Sequence, residues 1–343
     1  MGSKIDAIMK DVNKRVKDEA FTRGMPVYEY KKVPFTSPKM NHVTHGGLPL
    51  GRLIEFYGEE GGGKTTTTLD LIANFQQIYP DKEVIYIDAE NTLDLDWARK
   101  IGVDTDAIYL YQPKTESAEE IFQTIKEATL SGETGIWVLD SIPCLTSKAD
   151  LEKEMTDDAR LGGVSGILTR FCREMVGPCA KNECMGIFIN QVRAKIGSMI
   201  PGQMSTPGGQ GLKHFCTARI QFSKGTYIDE SGKAISRRSG EPNSQTIMVN
   251  MEKTKFCRPD RHVGQYTINF EDGIDYLTDV IDMALQFDII KQSGAWYSIV
   301  DINTGEIIKE KIQGKNNLKQ LLSEGDAVFS KVSEVLEEKI QEN

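Results

Sequence analysis

Residues 52–66 read RLIEFYGEEGGGKTT, and this stretch joins a strand pattern to a helix pattern through a glycine-rich turn. RLIEFYG is a short apolar and aromatic run, which is typical of a buried strand, and a helical pattern begins at Lys64. The spacing of glycines, lysine and threonine from Gly58 to Thr65 fits a P-loop. Such glycines let successive backbone N–H groups face phosphate oxygens, and the helix N-terminus adds partial positive charge.

The chemistry of this turn predicts the binding of ATP together with Mg²⁺. Lys64 is expected to reach the β- and γ-phosphates, and the hydroxyl of Thr65 is expected to be an oxygen ligand of Mg²⁺. The residues predicted to contact the nucleotide in this turn are Gly58, Glu59, Glu60, Gly61, Gly62, Gly63, Lys64, Thr65 and Thr66.

Two strand ends supply the carboxylates that such a site requires. Asp140 follows the apolar run IWVL and is predicted to hold Mg²⁺ through its water shell. Glu90 ends the pattern EVIYIDAE and is predicted to orient and deprotonate the attacking water, although a carboxylate at a strand end often caps the next helix instead. Trp97 is expected to stack on the adenine ring, with packing in the protein core as the alternative. Asp94 is expected to accept a hydrogen bond from the amino group of adenine.

Strand and helix patterns alternate from Arg52 to Gln191, which predicts a mainly parallel sheet with helices on both faces. After Gly211, the consecutive runs TARIQFS, TIMVNMEK and GQYTINF predict antiparallel strands that extend one edge. We therefore predict an α/β protein with three parts. These are an N-terminal helix and extended arm (1–40) that docks on a neighbouring protomer or folds back on its own domain, an ATPase core (41–271) and a small α+β lobe (272–343).

Charge is distributed unevenly along the chain. The net charge of −9 argues against binding nucleic acid through the overall field of the protein. No Asp or Glu occurs between Cys184 and Ile228, where about six would be expected from the average frequency of acids. The segment instead holds Arg193, Lys195, Lys213, Arg219 and Lys224. It predicts a surface for an anionic partner, with two buried strands joined by a neutral loop as the alternative.

The remaining composition excludes several classes of protein. The six cysteines form no Cys-x-x-Cys pair and the four histidines show no metal-ligand spacing, so we expect reduced thiols and no structural metal. No apolar run approaches the ~18 residues that cross a bilayer, and the first residues show no export signal. We therefore expect a cytoplasmic protein without membrane contact.

Six segments together resemble one protein family, and the set is far more specific than a P-loop alone. In order, from about Gly46 to Ser298, they are GLPLGRLIEFYGEEGGGKTTTTLDLIA, IDAENTLDLDWARKIGVD, VLDSIPCLTSKADLE, FINQVRAKIG, TPGGQGLKHF and GAWYS. Their order and spacing are similar to those of bacterial RecA proteins, and phage UvsX-like recombinases are relatives of the same kind. The resemblance implies a RecA-type P-loop ATPase core.

For the nucleotide site, the resemblance implies catalytic roles for Lys64, Glu90 and Gln191. The amide of Gln191 matches the family position that senses the γ-phosphate and adjoins a DNA-binding loop. Lys253 and Lys255 match two lysines that reach the γ-phosphate from the neighbouring protomer. The residues that match the family positions for Mg²⁺ and adenine are Thr65, Asp140, Asp94 and Trp97.

The resemblance also implies two DNA-binding loops. The first spans about residues 152–163 and is acidic here, which weakens its assignment. The second spans residues 192–211 and combines cations for phosphates, apolar wedges for bases and glycines that approach the backbone. The residues implied to contact DNA are Arg160, Thr169, Arg173, Arg193, Lys195, Ile196, Gly197, Met199, Gly208 and Gly209.

The function implied by the resemblance is homologous recombination in DNA repair. Such a recombinase forms helical filaments on single-stranded DNA with ATP between protomers, pairs that strand with homologous duplex DNA, exchanges strands and hydrolyses ATP to ADP and phosphate. Mediator and single-strand-binding proteins are the further partners expected. A ring helicase or other RecA-fold ATPase, and a nucleotide-binding scaffold with negligible turnover, are the alternative classes; Glu90 argues against the scaffold.

Three features depart from the family pattern. His214 stands where many relatives carry Phe, the first loop is acidic, and the C-terminal end SEVLEEKIQEN is only mildly acidic. These departures favour a phage origin, and hence the cytoplasm of an infected host, over a cellular origin in a bacterial cytoplasm.

Overall fold

The computed structural model describes residues 4–16, 30–153, 163–194, 204–230, 232–236, 240–301, 304–324 and 327–341. The chain divides into two units, residues 1–31 and residues 32–343. In the first unit, helix α1 (Lys4–Val16) follows the predicted apolar spacing and has no buried residue. The docking role predicted for this helix stays a prediction.

The second unit contains the other helices and all the strands that the described residues form. Its helices are α2 (Pro38–Val43), α3 (Lys64–Ile78), α4 (Leu95–Ile101), α5 (Ala118–Ser131), α6 (Lys148–Leu151), α7 (Gly163–Asn182), α8 (Gly209–Phe215), α9 (Tyr276–Gln286), α10 (Lys315–Ser323) and α11 (Ala327–Gln341). Its strands are β1 (Lys32–Val33), β2 (Leu48–Pro49), β3 (Leu53–Gly58), β4 (Glu83–Asp88), β5 (Ile108–Tyr111), β6 (Thr134–Asp140), β7 (Met185–Gln191), β8 (Arg193–Ala194), β9 (Met204–Ser205), β10 (Ala218–Ile228), β11 (Ala234–Ile235), β12 (Ser244–Thr254), β13 (Val263–Asn269), β14 (Gly273–Ile274), β15 (Ile290–Ser293), β16 (Trp296–Val300) and β17 (Ile307–Gln313).

A ten-stranded sheet forms the centre of this unit. Its strand order is β14-β13-β12-β10-β3-β7-β6-β4-β5, and β11 pairs with β10 as well. The strands from β10 to β5 run parallel, whereas β12, β13 and β14 extend the sheet antiparallel. This arrangement confirms the predicted parallel sheet with an antiparallel extension at one edge.

Aromatic side chains fill the space between this sheet and helices α5 and α7. The rings of Phe122 and Phe171 stack with centroids 4.4 Å apart, and Trp137 meets Phe188 edge-on at 5.1 Å. All four side chains are buried. Burying an aromatic side chain of this size contributes roughly 1.5–3 kcal/mol, so this layer holds the helices against the sheet. It thereby fixes the loops that leave the carboxyl ends of β6 and β7.

Residues 32–40 belong to the second unit, where they form β1 and the start of α2 rather than the continuous extended arm that was predicted. Strand β1 pairs with β2, and Ser37 caps helix α2 while its hydroxyl donates to Asp279 at 2.5 Å. Pro38 occupies the first turn of α2, where its missing N–H costs nothing, so this proline begins a helix rather than prolonging an arm. Lys39 pairs with Asp279 at 3.1 Å and with Asp282 at 2.7 Å.

The C-terminal lobe combines helices with an antiparallel sheet, as the sequence predicts, and these elements share a buried cluster. Strands β15, β16 and β17 form an antiparallel sheet. The sheet residues Tyr297 and Ile299 share one buried cluster with the helix residues Leu318 and Leu336. The predicted boundaries at residues 40 and 271 stay predictions.

We expect Gly186→Ala to destabilise the protein by about 2 kcal/mol, because overfilling a packed core forces its neighbours to move. A Cβ at position 186 would lie 2.1 Å from Cζ2 of Trp137. Denaturant unfolding measures the change. Gly177→Ala is the control, because it lies within α7 with no atom within 4 Å of its Cβ position, and it should stabilise by roughly 0.5–1 kcal/mol. Equal effects of the two substitutions would contradict this packing.

Candidate active site

The turn between β3 and α3 is shaped by two glycines. A Cβ at position 58 would lie 2.0 Å from the carbonyl oxygen of Phe222 on the neighbouring strand β10. Gly63 precedes helix α3 with φ of +83°, in the left-handed region that favours glycine. The turn therefore lies close against β10, and the first N–H groups of α3 open onto its concave side.

Lys64 is held at the base of this turn. Its Nζ donates to the carbonyl oxygens of Gly58 at 3.2 Å and Glu59 at 2.8 Å. The residue is only 7% exposed, and burial lowers the pKa of Lys64 below its ordinary value. An ammonium group with so little water around it gains strongly from an anion in the turn.

Asp140 lies beside the first turn of α3. It accepts hydrogen bonds from the hydroxyls of Thr65 at 3.2 Å and Tyr86 at 2.7 Å. Burial raises the pKa of Asp140 to about 6. The adjacent hydroxyl and carboxylate oxygens are hard ligands, and they fit Mg²⁺, which usually takes one or two protein oxygens besides phosphate and water. No cluster of three or more His, Cys, Asp or Glu suited to a metal occurs within the described ranges.

Glu90 and Gln191 meet directly, although 101 positions separate them in the chain. Nε2 of Gln191 donates to Oε1 of Glu90 at 2.8 Å, and the hydroxyl of Ser141 donates to the same oxygen at 2.5 Å. Ser141 follows Asp140, so one strand end supports both carboxylates. The contact brings together the residues predicted to be the base and the sensor, whose roles stay predictions.

A cleft beside the P-loop contains Trp97. The indole Nε1 donates to the hydroxyl of Thr66 at 3.2 Å, and the ring is partly buried rather than enclosed in the core. Asp94 caps α4, with one carboxylate oxygen accepting from the N–H groups of Asp96 and Trp97. The residues that line the cleft are Gly61, Gly62, Gly63, Lys64, Thr65, Thr66, Trp97, Gln245, Ile247, Ile268 and Phe270.

Phe270 and Gln245 are cleft residues that the sequence analysis did not identify. Phe270 follows strand β13 and remains 42% exposed, so its ring is accessible from the cleft. Phe270 and Trp97 both line the cleft, so the antiparallel extension adds a second aromatic ring to the predicted adenine site. The signal in the sequence was the aromatic residue that ends the run GQYTINF.

A short hairpin follows Gln191. Strands β8 and β9 pair antiparallel and form the base of the second predicted DNA-binding loop, and Arg193 is exposed there. The remaining predicted residues of this loop, Lys195, Ile196, Gly197 and Met199, lie outside the described residues, as does Arg160 of the first loop.

Helices α7 and α8 pack against each other and carry the other predicted DNA-contacting residues. Gly208 and Gly209 begin α8 with positive φ values of 98° and 75°. Thr169 packs against Gly211 of α8, and its hydroxyl donates to the carbonyl of Ser165 at 2.8 Å. Arg173 lies on α7 and is exposed. Of the predicted DNA-contacting residues that the structure describes, the two arginines are thus accessible to a phosphate.

Lys253 and Lys255 close the end of helix α8. Nζ of Lys253 donates to the carbonyls of Lys213 at 2.5 Å and His214 at 2.9 Å, and Lys255 donates to His214 at 3.3 Å. Burial, together with the neighbouring charge of Lys255, lowers the pKa of Lys253. Cations at the carboxyl end of a helix are stabilised by its dipole. The structure therefore does not bring these lysines to the P-loop of their own chain.

A glycine turn with a buried lysine, at the carboxyl end of a parallel sheet in which two further strands end in carboxylates, defines a P-loop ATPase of the α/β class. Models of the RecA N-terminal domain and the RecA C-terminal domain match residues 4–275 and 278–342. The chain belongs to the RecA family. Recombinases of this family are DNA-dependent ATPases that act in recombination and repair.

The sequences of individual relatives agree with this membership. Protein RecA of Lactobacillus acidophilus is 35% identical over 289 residues, which cover 84% of this chain and 74% of the relative. The corresponding protein of Mesoplasma florum is 35% identical over 300 residues (87% and 83%), and that of Acinetobacter baylyi is 34% identical over 295 residues (86% and 78%). These relatives are bacterial, so they lend no support to the expected phage origin.

One solved structure, described as the RadB recombinase, is 20% identical and covers 69% of this chain and 95% of its own, with a TM-score of 0.49. Within the described residues, no helix is both long enough and apolar enough to traverse a bilayer.

Trp97→Phe should abolish the nucleotide-dependent change in tryptophan fluorescence while leaving nucleotide binding within about tenfold of wild type, because an aromatic ring still lines the cleft. The other tryptophans lie in the sheet core and in the lobe. Titration of ATP followed by emission, and separately by calorimetry, measures both quantities. Trp296→Phe should retain the fluorescence change. Loss of that change in Trp296→Phe rather than in Trp97→Phe would show that nucleotide does not enter this cleft.

Proposed function

We propose that the protein forms helical filaments on single-stranded DNA, pairs that strand with homologous duplex DNA and exchanges strands. ATP binds between protomers and stabilises the filament, and its hydrolysis to ADP and phosphate releases the DNA. The observation that carries this proposal is the Gln191–Glu90 hydrogen bond at the foot of the β8–β9 hairpin. The side-chain amide of Gln191 thus links Glu90, the proposed base, to the hairpin that carries the exposed cation Arg193.

A bound triphosphate changes the partner of that amide. Lys64 and the N–H groups of the P-loop hold the phosphates near Gln191, and a phosphate oxygen is a strong charged acceptor for its Nε2. Gln191 then leaves Glu90 for the γ-phosphate, and the freed carboxylate of Glu90 orients water and accepts its proton. Because strand β8 begins two residues after Gln191, the displacement of the amide moves the hairpin that carries Arg193.

Thr65 and Asp140 are the residues that would hold Mg²⁺, with Asp140 acting through water. When bound, the ion neutralises charge that develops on the phosphates. Asp140 also remains hydrogen-bonded to Tyr86, whose buried hydroxyl fixes the orientation of the carboxylate.

The register of the sheet supports action of Lys253 and Lys255 on a neighbouring protomer. Lys253 is level with Arg219, which is level with Glu55, and the N–H of Lys255 donates to Thr217, which itself donates to Leu53. Lys255 thus lies level with Leu53 at the start of β3 and Lys253 level with Glu55, whereas the P-loop begins after Gly58 at its end. Five and three residues of strand span about 16 and 10 Å, so both lysines lie away from the phosphates of their own chain.

Glu90→Gln should produce long-lived filaments on single-stranded DNA with ATP itself, because an amide cannot accept the proton from water. Electron microscopy detects the filaments, and phosphate release should fall at least about a hundredfold. Lys64→Ala is the control and should form no ATP-dependent filament. Closed hexamers in place of helical filaments would instead support a ring helicase and contradict the proposal.

Replacing both Lys253 and Lys255 by alanine should reduce DNA-stimulated ATP hydrolysis by about a thousandfold while ATP affinity stays near wild type, because such cations stabilise the transition state from the adjoining protomer. Steady-state turnover and nucleotide titration separate the two effects. A matched control removes Lys309 and Lys311, which alternate on the exposed strand β17 of the lobe. Wild-type stimulation in the Lys253 and Lys255 variant would refute action in trans.

A further inference from the structure

A buried polar cluster lies between the hairpin and the central strand β3. Asn190 and Glu55 are fully buried, and Arg219 is 5% exposed. Nδ2 of Asn190 donates to Oε1 of Glu55 at 2.9 Å, and Nε of Arg219 donates to the other oxygen, Oε2, at 2.5 Å. These three residues come from the adjacent strands β7, β3 and β10.

Asn190 also holds both sides of the hairpin base. Its Nδ2 donates to the carbonyl of Pro207 at 2.9 Å, and its Oδ1 accepts from the N–H of Gln191 at 3.0 Å. Gln191 precedes β8 and Pro207 follows β9, so one side chain contacts the segments that enter and leave the hairpin. The contact with Gln191 is to the backbone, which leaves its side-chain amide available to Glu90.

Arg219 extends the cluster toward the strand that carries the lysine pair. Its second nitrogen donates to Glu252 at 2.7 Å, and its guanidinium lies over the ring of Tyr57 at 4.7 Å. Tyr57 donates from its hydroxyl to Glu252 as well. Glu252 immediately precedes Lys253 in β12, and Lys253 pairs in register with Arg219. The cluster therefore reaches from the hairpin to β12 without a gap.

A buried ion pair is a poor source of net stability, because desolvation of both charges offsets their attraction. It does fix geometry, since every donor and acceptor must stay paired in the dry interior. Both oxygens of Glu55 are engaged here, and Arg219 is paired with two carboxylates and a ring. The three side chains therefore move together, because separating them would leave buried charges unpaired at a high cost in free energy.

We propose that Asn190, Glu55 and Arg219 form a positioning unit that couples the nucleotide state sensed by Gln191 to two places at once. These are the far side of the DNA-binding hairpin, at Pro207, and the strand end that presents Lys253. This proposal rests on the proposed function, because the unit transmits the displacement of Gln191 that ATP binding causes. It contacts neither nucleotide nor DNA itself.

Asn190→Asp tests the unit with little change in size. The carboxylate still accepts from the N–H of Gln191, but it no longer donates to Glu55 or Pro207 and repels both. The measured quantity is the ratio of single-stranded DNA dissociation constants with ADP and with a slowly hydrolysed ATP analogue. We expect this ratio to fall about tenfold, a typical size for coupling between sites, with nucleotide affinity within about twofold of wild type.

The double variant Asn190→Asp with Glu55→Gln exchanges the amide and the carboxylate across the same contact. The introduced glutamine amide can donate to the introduced carboxylate and still accept from Arg219. The contact with Pro207 stays lost, so the ratio should recover only in part. A folded Asn190→Asp protein with an unchanged ratio would overturn the proposal. A double variant no better than the single one would overturn it too, because Glu55 would then have no part in the unit.

Asn182→Asp is the matched control. Asn182 also donates an amide N–H to a backbone carbonyl, that of Thr129 at 2.8 Å, but it ends α7 at the opposite end of β7. Asn182→Asp should leave the ratio of DNA dissociation constants unchanged. A fall as large as that of Asn190→Asp would mean that the loss of any such hydrogen bond lowers the coupling between nucleotide and DNA.

If Asn190→Asp fails to fold, Glu55→Gln alone removes the charged partner of Asn190 and Arg219 and should lower the ratio in the same direction. A wild-type ratio near one would refute the proposed function instead.

Discussion

The register of four parallel strands determines which residues share one edge of the sheet. Gly58 at the end of β3 is level with Gln191 at the end of β7, and Asp88 at the end of β4 is level with Asp140 at the end of β6. Asp140 is in turn level with Ile189, two residues before Gln191. The loops that follow these strands therefore leave the sheet within two residues of the same level, and Lys64, Glu90 and Gln191 converge there. A shift of one strand by a single residue would turn its side chains to the other face and separate the site.

Much of this architecture could be predicted from the sequence, because parallel strands and their helices leave strong local patterns. The alternating patterns from Arg52 to Gln191 correspond to strands β3 to β7 and to the helices between them, including α5 and α7. The meeting of Glu90 with Gln191 could be expected for the same reason, since polar residues at parallel strand ends share an edge. Residues 32–40 were harder, because helix α2, which begins at Pro38, has only six residues and leaves little periodic pattern in the sequence.

The antiparallel part of the sheet shows where sequence reasoning stopped. Its pairing contains register shifts between Arg219 and Ile220 and between Lys224 and Tyr227, and no local pattern specifies such irregularities. The cleft residue Phe270 depends on that pairing and was missed. The contacts of Asn190 were missed for a related reason: a buried amide is recognised by its partners, and Glu55 and Pro207 lie 135 and 17 positions away.

The distance between Lys253 and its own P-loop has a consequence for how such a protein is controlled. With action in trans, each protomer carries two incomplete halves of different sites, one at either end of β3. A lone subunit then hydrolyses ATP very slowly, whatever its affinity for ATP. The rate of ATP hydrolysis per subunit rises with the length of the polymer. Dilution alone would switch the enzyme off, and the last subunit of every polymer would keep one half-site unmatched.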